Sequence, residues 1–236
     1  MQISQRAQRI EPFYVMEVAK AAAELGQKVA HSDRPMVFLN IGEPDFTAPA
    51  LVQEAAAKAI HDGRTQYTQA TGLPQLRERL SDWYQSRYGV NIPASRIVIT
   101  AGASAALQLA CLALINPGDE VLLPDPSYPC NRHFVSAADG IARLIPTSAA
   151  DRFQLTAEHV QAAWNASTRG VLLASPSNPT GTSIHPHILR DIHQIVQQRQ
   201  GFTLVDEIYL GLSFDAQFGR GYSGASGASG ICRGAG

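Results

Sequence analysis

The chain has 236 residues, of which 45% are hydrophobic and 17% charged, and its formal net charge is −1. That length suits one large domain or two small ones, and the apolar share excludes a chain disordered over most of its length, while the near-neutral balance argues against a nucleic-acid surface or an anionic-membrane partner. Three widely spaced cysteines, Cys111, Cys130 and Cys232, make neither a disulfide framework nor a CxxC metal pattern, which fits a reducing compartment.

The amino-terminal stretch MQISQRAQRIEPFYVMEV lacks the apolar core of a signal peptide. The longest apolar run, around Leu107 to Ile115, is too short to span a bilayer, so no membrane partner is expected and the expected location is the cytoplasm. Pro12 to Leu25 patterns as an amphipathic helix, and PMVFLNIGEPDF, after Arg34, as a strand running into a turn at Gly42. A second helix is predicted over Ala48 to His61, with Leu51, Ala55, Ala59 and Ile60 on one side. Tyr67 follows as a loop aromatic in YTQATGLPQLRERLSDWYQSRYG. Arg96 to Thr100 (RIVIT) is β-branched and predicts a strand, and AGASAALQLACLALI predicts a helix apolar nearly all round, hence buried. Small residues at its start, Ala103 and Ser104, let the backbone approach an anion, and the free N–H groups make a natural phosphate seat; Ser104 could equally be a plain N-cap. Asn116 to Gly118 break the chain, Glu120 to Leu123 begins a strand ending in PDPSYP with Tyr128, and further elements run through Ile141 to Ile145 and Thr156 to Trp164.

Val171 to Tyr209 reads as one β-α-β unit around which the rest is organised. Val171 to Ala174 is a short apolar strand, and the turn-rich SPSNPTG ends it. Pro186 suits a first helical turn, and Ile188, Ile192, Ile195 and Val196 then recur at helical spacing until Gly201 stops the helix. Phe202 to Val205 is a second apolar strand, ending in Asp206, Glu207 and Tyr209. Parallel strands joined by a crossover helix point their carboxyl ends the same way, so Asn178, Asp206 and Tyr209 should line one edge of the sheet, where open α/β folds bind ligands.

SPSNPTG and VDEIY resemble the motifs of the class I/II aminotransferases, the fold-type I enzymes that use pyridoxal 5'-phosphate (PLP). The resemblance implies that Asp206 pairs with the pyridinium nitrogen of PLP and that Asn178 and Tyr209 hydrogen-bond its ring hydroxyl. A carboxylate there keeps the ring nitrogen protonated and the ring electron-withdrawing. It also implies that Ala103 and Ser104 hold the phosphate, that Tyr128 stacks on the ring, and that Tyr67 reaches the phosphate of the other subunit of a homodimer. GEPDF brings Gly42 next to the substrate carboxylate in that family. The implied fold is α/β, a three-layer sandwich with a mostly parallel sheet: an incomplete PLP-transferase type I large domain (42–220) and the N-terminal part of a small domain (1–41).

The resemblance runs from about Pro12 to about Arg220 and then stops. Members of the family continue with an SxSK-type segment whose lysine forms the Schiff base with PLP, and later supply an arginine for the substrate carboxylate. The only lysines here are Lys20, Lys28 and Lys58. Residues 221–236, GYSGASGASGICRGAG, hold six glycines, three serines and three alanines, a composition that cannot bury a core and reads as a reading-frame change or a truncation. Of the seven histidines, His185 and His187 stand two apart across Pro186 with His193 further along, and no Cys or acidic cluster completes a metal site; neither GxSxG nor a P-loop occurs. The expected activity is transfer of an amino group between an amino acid and a 2-oxo acid, in a chain that is itself inactive for want of the lysine. The alternatives are another PLP reaction on the same scaffold, such as a β-lyase, a decarboxylase or an aminocyclopropane-carboxylate synthase, and a non-catalytic PLP-binding remnant.

Overall fold

In the computed structural model, residues 2–213 and 231–234 are described, and the chain divides into two compact units. The larger comprises Met1–Glu11 with Thr71–Gly236, the smaller Pro12–Ala70. In the larger unit β1 (Glu120–Asp125), β2 (Ile141–Pro146), β3 (Thr168–Ala174), β4 (Phe202–Asp206) and β5 (Ile231–Gly234) pair in parallel in the order β2-β1-β3-β4-β5. Parallel neighbours cannot be joined by a tight turn, so α6 (Pro129–Ala137), α7 (Ala157–Ala163) and α8 (Pro186–Gln198) each carry the chain back between the first four strands. The same unit holds α1 (Gln5–Gln8), α4 (Pro74–Tyr88) and α5 (Ala103–Leu114).

Successive strand residues face opposite sides, so a continuous apolar run fills two cores at once. Leu122, Val171, Leu173 and Val205 pack with Val160 of α7 and Leu189, Ile192 and Val196 of α8. On the opposite face Val121, Leu123, Leu172 and Leu204 pack with Cys111 and Ile115, at α5 and its C-cap, and with Val135 and Ala138, at α6 and its C-cap. The result is the expected three-layer α/β sandwich with a parallel sheet.

Two local expectations change in this unit. RIVIT is not a strand: after a 3₁₀ turn at Ala94–Arg96 the backbone is extended at Ile97, and Ile99 N–H donates to the Thr71 carbonyl at 3.1 Å with no ladder beside it among the described residues. β-branched residues favour an extended chain, but a strand also needs a neighbour. α5 is not buried all round, since Leu107 and Cys111 face the core while Leu109 and Leu112 are exposed. α8 stops before Gly201 as expected, with the Gly201 N–H donating to the Val196 carbonyl at 2.9 Å and Gln200 making the left-handed turn at φ 57°. Glycine is required at 201 because a Cβ there would lie 2.5 Å from the Trp164 ring and 2.8 Å from the Arg169 carbonyl oxygen.

The smaller unit contains α2 (Tyr14–Val29) and α3 (Ala50–His61), matching the two predicted helices to within a turn. PMVFLNIGEPDF forms no strand there, and Val37, Leu39 and Phe46 are exposed. No residue of this unit is fully buried.

Candidate functional site

The sheet order fixes where a ligand crevice should open. From β1 the chain first moves to β2 on one side, then crosses to β3 on the other, so the connections diverge at the carboxyl ends of β1 and β3. That reversal is where open α/β sheets bind ligands. Tyr128 follows β1, Asn178 follows β3, and Asp206 ends β4. The predicted convergence on one sheet edge is therefore present in the topology.

Asp206 is 8% exposed, and burial pushes its carboxyl above the ordinary range, partly offset by the Ile208 N–H, which donates to Oδ1 at 3.0 Å. The Asp206 carbonyl accepts from the Ser175 N–H at 3.0 Å, so the loop after β3 is stitched to the end of β4. Tyr209 stands in the turn beyond, partly exposed, with the Leu210 N–H donating to the Glu207 carbonyl at 2.8 Å. Tyr128 is the residue before α6, and its phenol is pushed up to about 12, first by a hydrogen bond with Cys130, then by burial, with the charges of Cys130, Tyr209 and Asp206 adding to the effect. Those last causes mean that Tyr128, Asp206 and Tyr209 share one electrostatic neighbourhood.

Asn178 is half-buried in a closed turn. The Ser177 N–H donates to the Thr182 carbonyl at 2.9 Å, the Gly181 N–H to the Ser177 carbonyl at 2.8 Å, and the Ile184 N–H to Ser175 Oγ at 3.0 Å. Ala103 and Ser104 open α5, whose N-cap, Gly102 at φ 83°, offers no side-chain cap. α5 leads through Asn116–Asp119 straight into the start of β1, so it runs against the strands and its N-terminus lies at their carboxyl edge. Ser104 is exposed there and does not cap the helix, so its N–H groups and hydroxyl remain available to an anion. The two remaining candidates belong to the smaller unit: Gly42 lies in an irregular exposed segment and Tyr67 is fully exposed.

Three further residues lie near the site. Glu207 is a second buried acid beside Asp206, and Cys130 partners the Tyr128 phenol. Gln154, from the loop before α7, is buried under the Asn178 turn. Only the distance in sequence between Gln154 and that turn hid it. No group of three or more potential metal ligands occurs among the described residues, and no described helix is long and apolar enough to cross a membrane.

Comparison with known proteins gives a consistent picture. The family model for aminotransferase class I and II matches residues 34–231. The valine–pyruvate aminotransferase of Mycobacterium tuberculosis is 40% identical over 205 residues, 87% of this chain and 52% of that protein. The (5-formylfuran-3-yl)methyl phosphate transaminase of Methanocaldococcus jannaschii is 33% identical over 215 residues, 91% of this chain and 54% of its own. Among solved structures, a single mutant of Thermus thermophilus aspartate aminotransferase superposes with a TM-score of 0.89 at 27% identity, covering 99% of this chain and 59% of that one. The chain thus spans about half the length of the curated relatives it matches.

Proposed function

The chain belongs to the class I and II aminotransferases, which are PLP-dependent, and from that premise we propose that the protein moves an amino group between an amino acid and a 2-oxo acid. The observation that carries this reading is the buried Asp206 carboxyl at the end of β4, in one electrostatic neighbourhood with Tyr128 and Tyr209. A buried acid with no cationic partner among the described residues is costly by itself; a protonated ring nitrogen is the kind of group that would relieve it. PLP, when bound, supplies an electron-withdrawing ring that accepts the electron pair left as the substrate's Cα–H bond breaks.

In this reading Asp206 keeps the ring nitrogen protonated, and the Asn178 amide and Tyr209 phenol hold the ring hydroxyl. The Tyr128 ring restricts the tilt of the cofactor, and because its phenol stays protonated to about pH 12 it remains neutral in the working range. Ala103, Ser104 and the uncapped N–H groups of α5 take the phosphate, Gly42 borders the substrate carboxylate, and Tyr67 of a second copy reaches the phosphate in a homodimer. Support for the second copy is the apolar surface of the smaller unit, where Tyr14, Leu39, Phe46 and Leu51 are exposed. The division into a small-domain segment (1–41) and a PLP-binding domain (42–220) belongs to the same reading, and limited proteolysis that cuts near residue 41, rather than near residues 11 and 70, would support it.

For the 236 residues themselves we infer binding with very slow turnover. Lys20, Lys28 and Lys58 all precede the phosphate turn, so no lysine follows VDEIY to carry the cofactor and move the α-proton. Incubation with PLP, borohydride reduction and intact-mass measurement test this: reversible binding with no covalent gain in mass is expected. A PLP adduct on one specific lysine, with turnover, would overturn it.

A further inference from the structure

Asn178, assigned to the cofactor's ring oxygen, stands on the loop after β3, and that loop is braced from a distant part of the chain. Gln154 lies between β2 and α7 and is 4% exposed. Its Nε2 donates to the Ala174 carbonyl at 3.2 Å, the Thr182 carbonyl at 2.9 Å and Thr182 Oγ1 at 3.3 Å. Ala174 ends β3 and Thr182 closes the turn, so a single amide joins the two ends of the segment that contains Asn178. The Thr182 carbonyl accepts from the Ser177 N–H as well, so Gln154 completes a bond pattern that the turn begins by itself.

The amide orientation follows from chemistry, because the flipped form would set Oε1 against two carbonyl oxygens. In the observed form Oε1 is buried and has no donor among the described residues. The backbone leading to Gln154 is also unusual: Arg152 and Phe153 both adopt left-handed conformations, at φ 56° and 55°, which bulky residues seldom do. They are held by a local network in which Ser148 Oγ donates to Asp151 Oδ2 at 2.7 Å, the Phe153 N–H to the Ser148 carbonyl at 2.8 Å and the Gln154 N–H to the Asp151 carbonyl at 3.1 Å. Strain of this kind persists only where the surroundings over-determine it. Here it delivers one carboxamide to the underside of the Asn178 turn.

We propose that Gln154 is a positioning residue for the ring-hydroxyl contact: its carboxamide fixes the 175–182 turn, and through that turn holds Asn178 in place for the cofactor's ring oxygen. The inference rests on the cofactor reading above. Gln154→Met keeps the length of the side chain and removes the donor. Titrations of the full chain with PLP and with its 3-deoxy analogue, which lacks the ring oxygen, separate a positioning role from a general structural one. Gln154→Met should weaken PLP about fivefold, the scale of one net hydrogen bond, and leave the deoxy analogue unchanged. Asn178→Ala should do the same, and the double variant should be no weaker than Asn178→Ala alone. Amide exchange provides a readout that needs no ligand: at Ser177, Gly181 and Ile184 it should quicken about tenfold in Gln154→Met while Leu172 and Leu173 keep their protection. Equal loss for both ligands, full additivity with Asn178→Ala, or unchanged exchange in the turn would overturn the proposal. Wild-type chain that binds neither ligand would instead remove the cofactor reading, and with it the role of Asn178, whatever the exchange data say of the turn.

Discussion

Asp206 combines a buried carboxyl with one local donor, the Ile208 N–H. Its folded-state pKa is raised by burial, so between the unfolded and folded values the native state holds a proton that the unfolded chain has lost, and stability falls as pH rises through that interval. Asp206→Asn keeps the shape and removes the titration, so urea midpoints measured across the acid range should fall less steeply with rising pH in the variant than in wild type. An identical slope would show that Asp206 ionises as freely as in the unfolded chain. Tyr128 offers a second test, since its phenol should titrate near pH 12 by ultraviolet absorbance, and Cys130→Ala should lower that midpoint by removing the largest cause of the shift. A Tyr128 that titrates like an exposed phenol in wild type would contradict the contact with Cys130. The placement of Asp206, Tyr128 and Asn178 at or just beyond the strand ends was legible in the sequence because each sits in a motif that follows an apolar run. Cys130 and Gln154 were not, because their roles depend on contacts rather than on a residue pattern.

At the scale of elements, the β3-α8-β4 unit was read nearly to its ends because two periodicities meet there: continuous apolar strands buried on both faces, and a helix whose Leu189, Ile192 and Val196 return to one core. RIVIT misled because propensity says nothing about whether a pairing partner is at hand. Gly201 has a second role that a stop signal does not reveal, a close approach to the Trp164 ring and the Arg169 carbonyl. Gly201→Ala should cost roughly 1–3 kcal/mol, because the new methyl meets a backbone oxygen as well as the Trp164 ring. Leu172→Ala, which empties a fully buried site at the centre of the sheet, should cost about 2–5 kcal/mol. Leu109→Ala, on the exposed side of α5, should stay within about 0.5 kcal/mol. Urea denaturation of the three variants checks the order, and equal losses at Leu172 and Leu109 would contradict the described faces of the sheet and helix.

Across the whole molecule, the parallel sheet has a core on each face, while the segment from Pro12 to Ala70 has no fully buried residue and exposes Tyr14, Val37, Leu39, Phe46 and Leu51. Apolar surface of that kind should bind a hydrophobic dye and drive association, which dye fluorescence and sedimentation velocity would detect; a monodisperse, dye-silent monomer would speak against it. The central claim is that the carboxyl edge of this sheet grips PLP through Asp206. Its most direct test is a spectrophotometric titration of the chain and of Asp206→Asn with PLP. Saturable binding of one cofactor per chain, weakened about tenfold or more in the variant by loss of a charge-assisted hydrogen bond, is the predicted result. Binding of equal strength in both, or none in the folded wild type, would contradict the account.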